Sequence, residues 1–303
     1  MPRVSWPCRS AVPSPGRWVD LDARTGSAAA MVCEEVSFAY PGREGALVLR
    51  DITLEIKQGE FVALSGLNGS GKSTLCRLFN ALLLPAQGRV ISCGMDTALP
   101  GNLSRIRSLV GLIMQNPDNQ IVGPTVEDDV AFGPENLALP RDEIRSRVEE
   151  ALQAMGLSAL RDREPHLLSL GERKRLAVAG VLAMRPHVLI SDESTSMLDP
   201  PSRAETIELF KRLRDELGIT VIHATHRPEE IMAADRVMLL GGGSLLFAGS
   251  PDDLFREPEL TREHGLRPPA IHLLVRELEL RGCPLGNGPW DPEEVAEQLW
   301  VSR

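Results

Sequence analysis

From Val32 onward, short apolar runs alternate along the chain with stretches of helical spacing. VCEEVSFAY (32–40), LVLRDITLEI (47–56), FVALS (61–65), LVGLIM (109–114), HVLIS (187–191) and ITVIH (219–223) read as strands. Helical patterns begin at Lys72, fill the stretch between Val126 and Met155, and run from Ser202 to Leu217. This alternation predicts an α/β fold, a parallel sheet covered by helices. The run AADRVMLLGGGSLLFAGSP closes the module with two strand-like segments around Gly241, Gly242 and Gly243, whose turn chemistry predicts a hairpin.

The two ends differ from this middle. Residues 1–30 are rich in Pro, Ser, Ala and Arg without periodicity, which predicts a disordered extension; a second methionine, Met31, stands just before the first strand. A boundary falls near Phe255. Beyond it, helical patterns over Ala270–Leu280 and Asp291–Leu299, punctuated by Pro268 and Pro269, predict a small C-terminal helical domain over 256–303. The nucleus of the chain is then 31–255. All four tryptophans (Trp6, Trp18, Trp290, Trp300) lie outside it, and the last two fit either contact anchors or the core of the tail.

Composition narrows the classes. With 303 residues, 43% hydrophobic and 25% charged, the chain is globular and long enough to bury a substantial core. A net charge of −9 repels nucleic acid and anionic lipid, so no nucleic-acid partner is expected. No apolar run approaches the roughly 18–20 residues a membrane helix needs, and the start has arginines but no apolar core of a secretory signal. A cytoplasmic location follows as an expectation. Five widely spaced cysteines (Cys8, Cys33, Cys76, Cys93, Cys283) without a CxxC argue against a disulfide framework or a zinc site.

Chemistry enters at Gly66-Leu67-Asn68-Gly69-Ser70-Gly71-Lys72-Ser73, which fits G-x-x-x-x-G-K-[ST] and sits between a strand and a helix. Glycines let backbone N–H groups turn toward phosphate oxygens, the helix N-terminus adds positive potential, Lys72 reaches the β and γ oxygens, and Ser73 offers a hydroxyl to Mg²⁺. HVLIS runs into Asp192-Glu193, one carboxylate for Mg²⁺ and one to orient and deprotonate water. Ser191 is more polar than a buried strand prefers. Between these motifs, Leu168-Ser169-Leu170-Gly171-Glu172 opens a helix. Ser169 and Glu172 form a capping box, and the same geometry offers an anion site; the sequence allows both.

The order of the lysine loop, Gln115, the LSLGE segment, Asp192-Glu193, Ser196-Met197-Leu198-Asp199 and His226 resembles the nucleotide-binding subunits of ABC transporters over about residues 32–255. The resemblance implies a P-loop NTPase of the ABC type: a parallel core sheet, an antiparallel β subdomain and a helical subdomain. It implies ATP and Mg²⁺ as cofactors, with Tyr40 stacking on adenine, the loop from Gly66 through Ser73 and Thr74 holding the phosphates, and Ser169 and Gly171 contacting ATP across a dimer. It implies Ser73, Gln115 and Asp192 at the metal, and Glu193, Gln115 and His226 at the attacking water and γ-phosphate.

The segment Gln115-Asn116-Pro117-Asp118-Asn119-Gln120, VEDDVAFGPENLALP (126–140) and the tail are similar to the A components of energy-coupling factor (ECF) transporters. The resemblance then implies an ATPase peripheral to the cytoplasmic face of the membrane, coupling closure of an A-subunit dimer to uptake of a vitamin or transition-metal ion. The dimer is formed with a copy or a paralogue, and the tail has a role in it. A transmembrane T component and a substrate-binding S component are the other partners, so the chain meets the membrane only through protein. A conventional ABC importer is the nearest alternative. Soluble ABC ATPases of ribosomes or DNA carry two modules or a coiled-coil insertion, and this chain has neither. One departure stands out: Leu170 replaces the first glycine of the usual LSGG.

Overall fold

The computed structural model describes residues 29–42, 45–196, 198–282 and 295–296. Strands β1 (Ala29–Phe38) and β2 (Leu49–Lys57) pair antiparallel, and β3 (Phe61–Ser65) then enters a different sheet and leads to α1 (Lys72–Phe79). The chain returns with β4 (Gln87–Ser92) and β5 (Met95–Asp96), completing a four-stranded antiparallel sheet of order β2-β1-β4-β5. After α2 (Leu103–Leu109), β6 (Val110–Ile113) joins the main sheet, and α3 (Val126–Asn136), α4 (Arg141–Ala154) and α5 (Leu170–Ala183) pack on one another as a helical subdomain. Then come β7 (Val188–Asp192), α6 (Pro200–Leu217), β8 (Thr220–Ala224), α7 (Pro228–Ile231), β9 (Arg236–Gly241) and β10 (Ser244–Gly249). The main sheet has the order β10-β9-β3-β8-β7-β6, parallel except for the β10 edge.

The parallel strands are buried on both faces, which is why FVALS and HVLIS lack a polar side. Alternate residues feed two cores. Phe61, Ala63, Leu189, Val221, Val237 and Leu239 face one that includes Phe210 of α6, while Val62, Leu64, Val188, Ile190, Ile222 and Met238 face the other, with α1 and the antiparallel sheet. The hairpin at Gly241–Gly243 forms as expected and bonds the two sheets, since Arg50 N–H donates to the Gly243 carbonyl at 2.8 Å. Sequence pattern missed β4, β5 and α2, which are short and largely exposed along one side.

Packing ties both ends of the module to its core. β1 begins at Ala29, two residues inside the stretch expected to be disordered: Ala29 pairs with Lys57 of β2, and both Ala29 and Ala30 are buried. At the other end, α8 (Pro251–Phe255) and α9 (Pro258–Glu263) follow, and Leu254, Phe255 and Leu266 all belong to the main core. Helix α10 (Ala270–Leu280) spans the expected residues and docks through His272, whose Nε2 lies 3.0 Å from Asp252 Oδ1. Its Val275 packs against Val295; the rest of the second helix expected in the tail lies outside the described residues, as do all four tryptophans. No helix among the described residues is long and apolar enough to cross a membrane.

Candidate nucleotide site

The loop between β3 and α1 is shaped by glycines at left-handed or otherwise positive φ: +142° at Gly66, +82° at Gly69 and +105° at Gly71. At two of these a side chain has no room, since a Cβ on Gly66 would lie 2.2 Å from the Leu240 carbonyl oxygen and one on Gly71 2.5 Å from Leu49 Cδ2. Gly71 is the N-cap of α1 and supplies no side-chain acceptor, so the first turn presents its N–H groups to the loop. Leu67 and Asn68 form the exposed rim. Ser70 Oγ is buried with no hydrogen-bond partner, an unmet polar atom inside a phosphate-sized turn.

Lys72 is almost wholly buried, donates to the carbonyls of Gly66 (2.9 Å) and Leu67 (3.2 Å), and lies 3.3 Å from Glu193 Oε1. Ser73 Oγ donates to Asp192 Oδ1 at 2.8 Å, so the helix and the end of β7 bring two of the three expected metal oxygens together. Burial raises the Asp192 pKa, and Glu193 beside it adds to that, against the opposing Ser73 hydrogen bond and the Arg77 and Lys72 charges. Tyr40 flanks the same helix: its hydroxyl is 3.2 Å from Thr74 Oγ1, and its ring meets Phe38 edge-on at 5.0 Å.

Glu193 follows β7 at φ +49°, a left-handed conformation that aims its carboxylate back across the loop, and it accepts from Gln115 Nε2 at 3.3 Å. Gln115 leaves the end of β6 into a turn held by Asn116, whose side chain accepts from Asp118 N–H at 3.1 Å, and by Gln120, whose side chain accepts from Met114 N–H at 3.2 Å. Asp118 pairs with Arg173 of α5 at 3.4 Å, tying this turn to the LSLGE helix. His226 stands exposed just past β8, the strand paired with β7. The structure thus brings Lys72, Ser73, Asp192, Glu193 and Gln115 into direct contact.

Ser169 is the N-cap of α5 and the capping box is complete: its hydroxyl accepts from Glu172 N–H at 3.3 Å, and Glu172 Oε2 accepts from both Ser169 N–H and Ser169 Oγ at 2.8 Å. Burial opposes ionisation of Glu172, yet those two hydrogen bonds and the nearby Arg175 and Arg163 charges pull its pKa below the usual value. Leu170 has an ordinary helical φ, and a Cβ on Gly171 would meet nothing within 4 Å.

A polar cluster behind this face was missed. His223, Ser191, Ser194, Thr195, Thr225 and Glu230 are buried together against the core. Two signals were present: the polar Ser191 closing an apolar strand, and a histidine within ITVIH at the position paired with it.

The chain matches the ABC transporter family model over residues 49–196. It is 49% identical to the energy-coupling factor transporter ATP-binding protein EcfA1 of Symbiobacterium thermophilum over 277 residues, 89% of this chain and 96% of that protein. Among solved structures, CbiO1 of Clostridium perfringens, described as part of the ABC transporter complex cbiONQ, is 39% identical with a TM-score of 0.71, covering 82% of this chain and 100% of that one. A dimeric ATP-binding cassette in a post-hydrolysis state with ADP and Pi is 28% identical with a TM-score of 0.67, covering 73% and 98%. With its lysine loop, paired carboxylates and capped LSLGE helix on an ABC ATPase fold, the chain belongs to the ABC transporter ATPases and, among them, to the ATP-binding A components of energy-coupling factor transporters.

Proposed function

We propose that this chain hydrolyses ATP with Glu193 as the base, in a dimer whose closure moves separate membrane subunits and drives uptake of a vitamin or a transition-metal ion. The observation that carries the reading is the contact of Glu193 with both Lys72, at 3.3 Å, and Gln115, at 3.3 Å, beside the Ser73–Asp192 pair. Tyr40 stacks on the adenine. The 66–74 loop takes the phosphates on backbone N–H groups, with Lys72 turning from the Gly66 and Leu67 carbonyls to the β and γ oxygens. Ser73, Asp192 and Gln115 form the oxygen-rich donor set that suits Mg²⁺, and the ion, when bound, neutralises charge between the β- and γ-phosphates. Glu193 polarises a water in line with the γ-phosphate while His226 holds that phosphate from the far side.

The second phosphate contact comes from another subunit. Ser169 and Gly171 open a helix N-terminus whose hydroxyl and N–H suit a γ-phosphate bound by a partner chain, copy or paralogue. The similarity to a component of a cbiONQ complex supports a T component as the membrane partner, with an S component holding the cargo, and a seat on the cytoplasmic face of the membrane. The Gln115–Gln120 turn fits the contact with the T component, and the tail helps keep two A subunits together.

Glu193→Gln tests the reading. Loss of a general base costs about 10²–10⁴ in rate, so the variant is expected to bind MgATP and barely turn over in the assembled transporter. Near-normal turnover would refute the assignment.

A further inference from the structure

The buried polar cluster behind the site is organised around one oxygen. Glu230 Oε2 accepts from Thr225 Oγ1 at 2.5 Å, His223 Nε2 at 2.8 Å and Thr195 Oγ1 at 3.0 Å. On the other ring nitrogen, His223 Nδ1 is 3.0 Å from Ser191 Oγ, which lies 2.6 Å from Ser194 Oγ; Lys174 of α5 donates to the Ser194 carbonyl. His223 is 0% exposed and packs edge-on against Phe210 at 5.4 Å. Burial alone raises the Glu230 pKa, but the His223 hydrogen bond and charge, with the Thr225 and Thr195 hydroxyls, outweigh it and hold the group down to about 2. Glu230 is therefore a carboxylate, an acceptor only, and His223 Nε2 carries its proton toward it.

Such a cluster adds little to stability over apolar residues of the same volume, so its positions matter more than its energy. Thr195 and Ser194 belong to the turn that starts with Glu193, and Thr225 immediately precedes His226. Glu193 is held at φ +49°, a conformation a residue with a Cβ keeps only where its surroundings fix it. Besides the cluster, the Glu193 N–H donates to the Ala224 carbonyl at 3.2 Å, a backbone bond that also joins the two turns.

We propose that His223 is a positioning residue for ATP hydrolysis: bridging Glu230 and Ser191, it locks the turn carrying Glu193 and the turn carrying His226 into one frame. The inference rests on the reading of Glu193 and His226 given above. His223 touches no nucleotide; it sets where the two groups that act on the γ-phosphate stand, and Lys174 brings the start of the LSLGE helix into the same frame.

The test uses the full chain purified with its membrane subunits and compares His223→Ala, His223→Gln and Glu193→Gln by kcat, ATP KM and thermal midpoint. Misplacement of catalytic groups by about 1 Å costs up to about 10²-fold, so His223→Ala is expected to lose about tenfold or more in kcat with ATP KM changed less than about twofold. Glutamine's amide N–H reaches about as far as Nε2 and keeps the bond to Glu230, so His223→Gln is expected within about threefold of the parent kcat. Unchanged kcat in His223→Ala, or a loss that His223→Gln does not restore, overturns the proposal. If His223→Ala does not fold, Thr195→Val removes one donor to Glu230 at the turn itself: a lower kcat at unchanged KM supports the frame, and an unchanged kcat overturns it. Normal turnover in Glu193→Gln overturns the site reading and the frame with it, whereas an inactive Glu193→Gln beside a fully active His223→Ala overturns the frame alone.

Discussion

Helices α1 and α5 both offer an N-terminus to phosphate, and the chain finishes them in opposite ways. At α1 the N-cap is Gly71 in a left-handed conformation with no side-chain acceptor, and Ser70 Oγ nearby has no partner. At α5 the N-cap is Ser169 and every element of the capping box is made. The first end has donors waiting for a ligand; the second has a carboxylate of its own already on the Ser169 hydroxyl, one of the two donors a ligand would use. A capping side chain contributes about 0.5–2 kcal/mol to its helix, so a phosphate arriving at α5 must displace Glu172 or share Ser169 with it. On the proposed function, the α1 end binds phosphate on its own, and the α5 end only when a second subunit delivers charge at close range.

Of the two ends, closing the open one has the largest expected effect on nucleotide binding. Gly71→Ala forces a Cβ into φ +105° and against Leu49 Cδ2. A left-handed conformation costs a residue with a Cβ about 1–2 kcal/mol, and the loop relieves that by rotating its N–H groups away from the phosphates. Expressed in binding, this is about 5–30-fold in affinity, read by titration with a fluorescent ATP analogue. Parent-like affinity would mean that the exposed N–H groups of α1 are not the phosphate cradle.

The contrast between the two ends was legible in part. Gly-x-Gly-Lys-Ser after an apolar strand fixes both the turn and its chemistry, because few other residue types tolerate those φ values, and S-x-x-E is a local signal that needs no tertiary contact. What lay hidden depends on distant pairing. The assignment of β1 and β2 to a separate antiparallel sheet is invisible in their pattern, and the neighbours β4 and β5 are too short and exposed to stand out. The Glu230 cluster is assembled from β7, β8, α7 and the turn after Glu193, so Ser191 looked like a flaw in a strand until its paired position, His223, supplied the partner.

A smaller change opens the closed end. Glu172→Gln keeps a capping side chain, since an amide oxygen still accepts from Ser169 N–H, but removes the charge that opposes a phosphate. Loss of an acidic group from a helix first turn costs about 0.3–1 kcal/mol of helix stability. The expected outcome pairs a slightly lower thermal midpoint with about two- to fivefold less ATP for half-maximal turnover of the assembled transporter, as charge removal of that size implies. An unchanged or higher ATP requirement would show that Glu172 does not compete with the phosphate.

The smallest effect is at Leu170, the residue that replaces a glycine of the usual signature. A leucine here is harmful if the position needs a positive φ, and nearly neutral if the position is ordinary helix. It is ordinary helix: Leu170 is the first residue of α5, absent from the positive-φ positions, and the N-cap geometry before it is intact. The remaining cost is bulk, because the half-buried residue lies in sequence between Ser169 and Gly171, the two residues proposed to meet a partner's phosphate. Leu170→Gly removes that bulk and in exchange gives up helix propensity, at most about 1 kcal/mol for glycine and less in a first turn whose N–H groups are unbonded within the helix. The two terms nearly cancel, so turnover of the assembled transporter is expected to rise by no more than about twofold, equivalent to about 0.4 kcal/mol, while Ser169→Arg, which fills the phosphate position, suppresses it. A fall in Leu170→Gly with an unchanged thermal midpoint would mean that the leucine makes a contact across the dimer, and the closed end of α5 would then be a surface shaped for one partner.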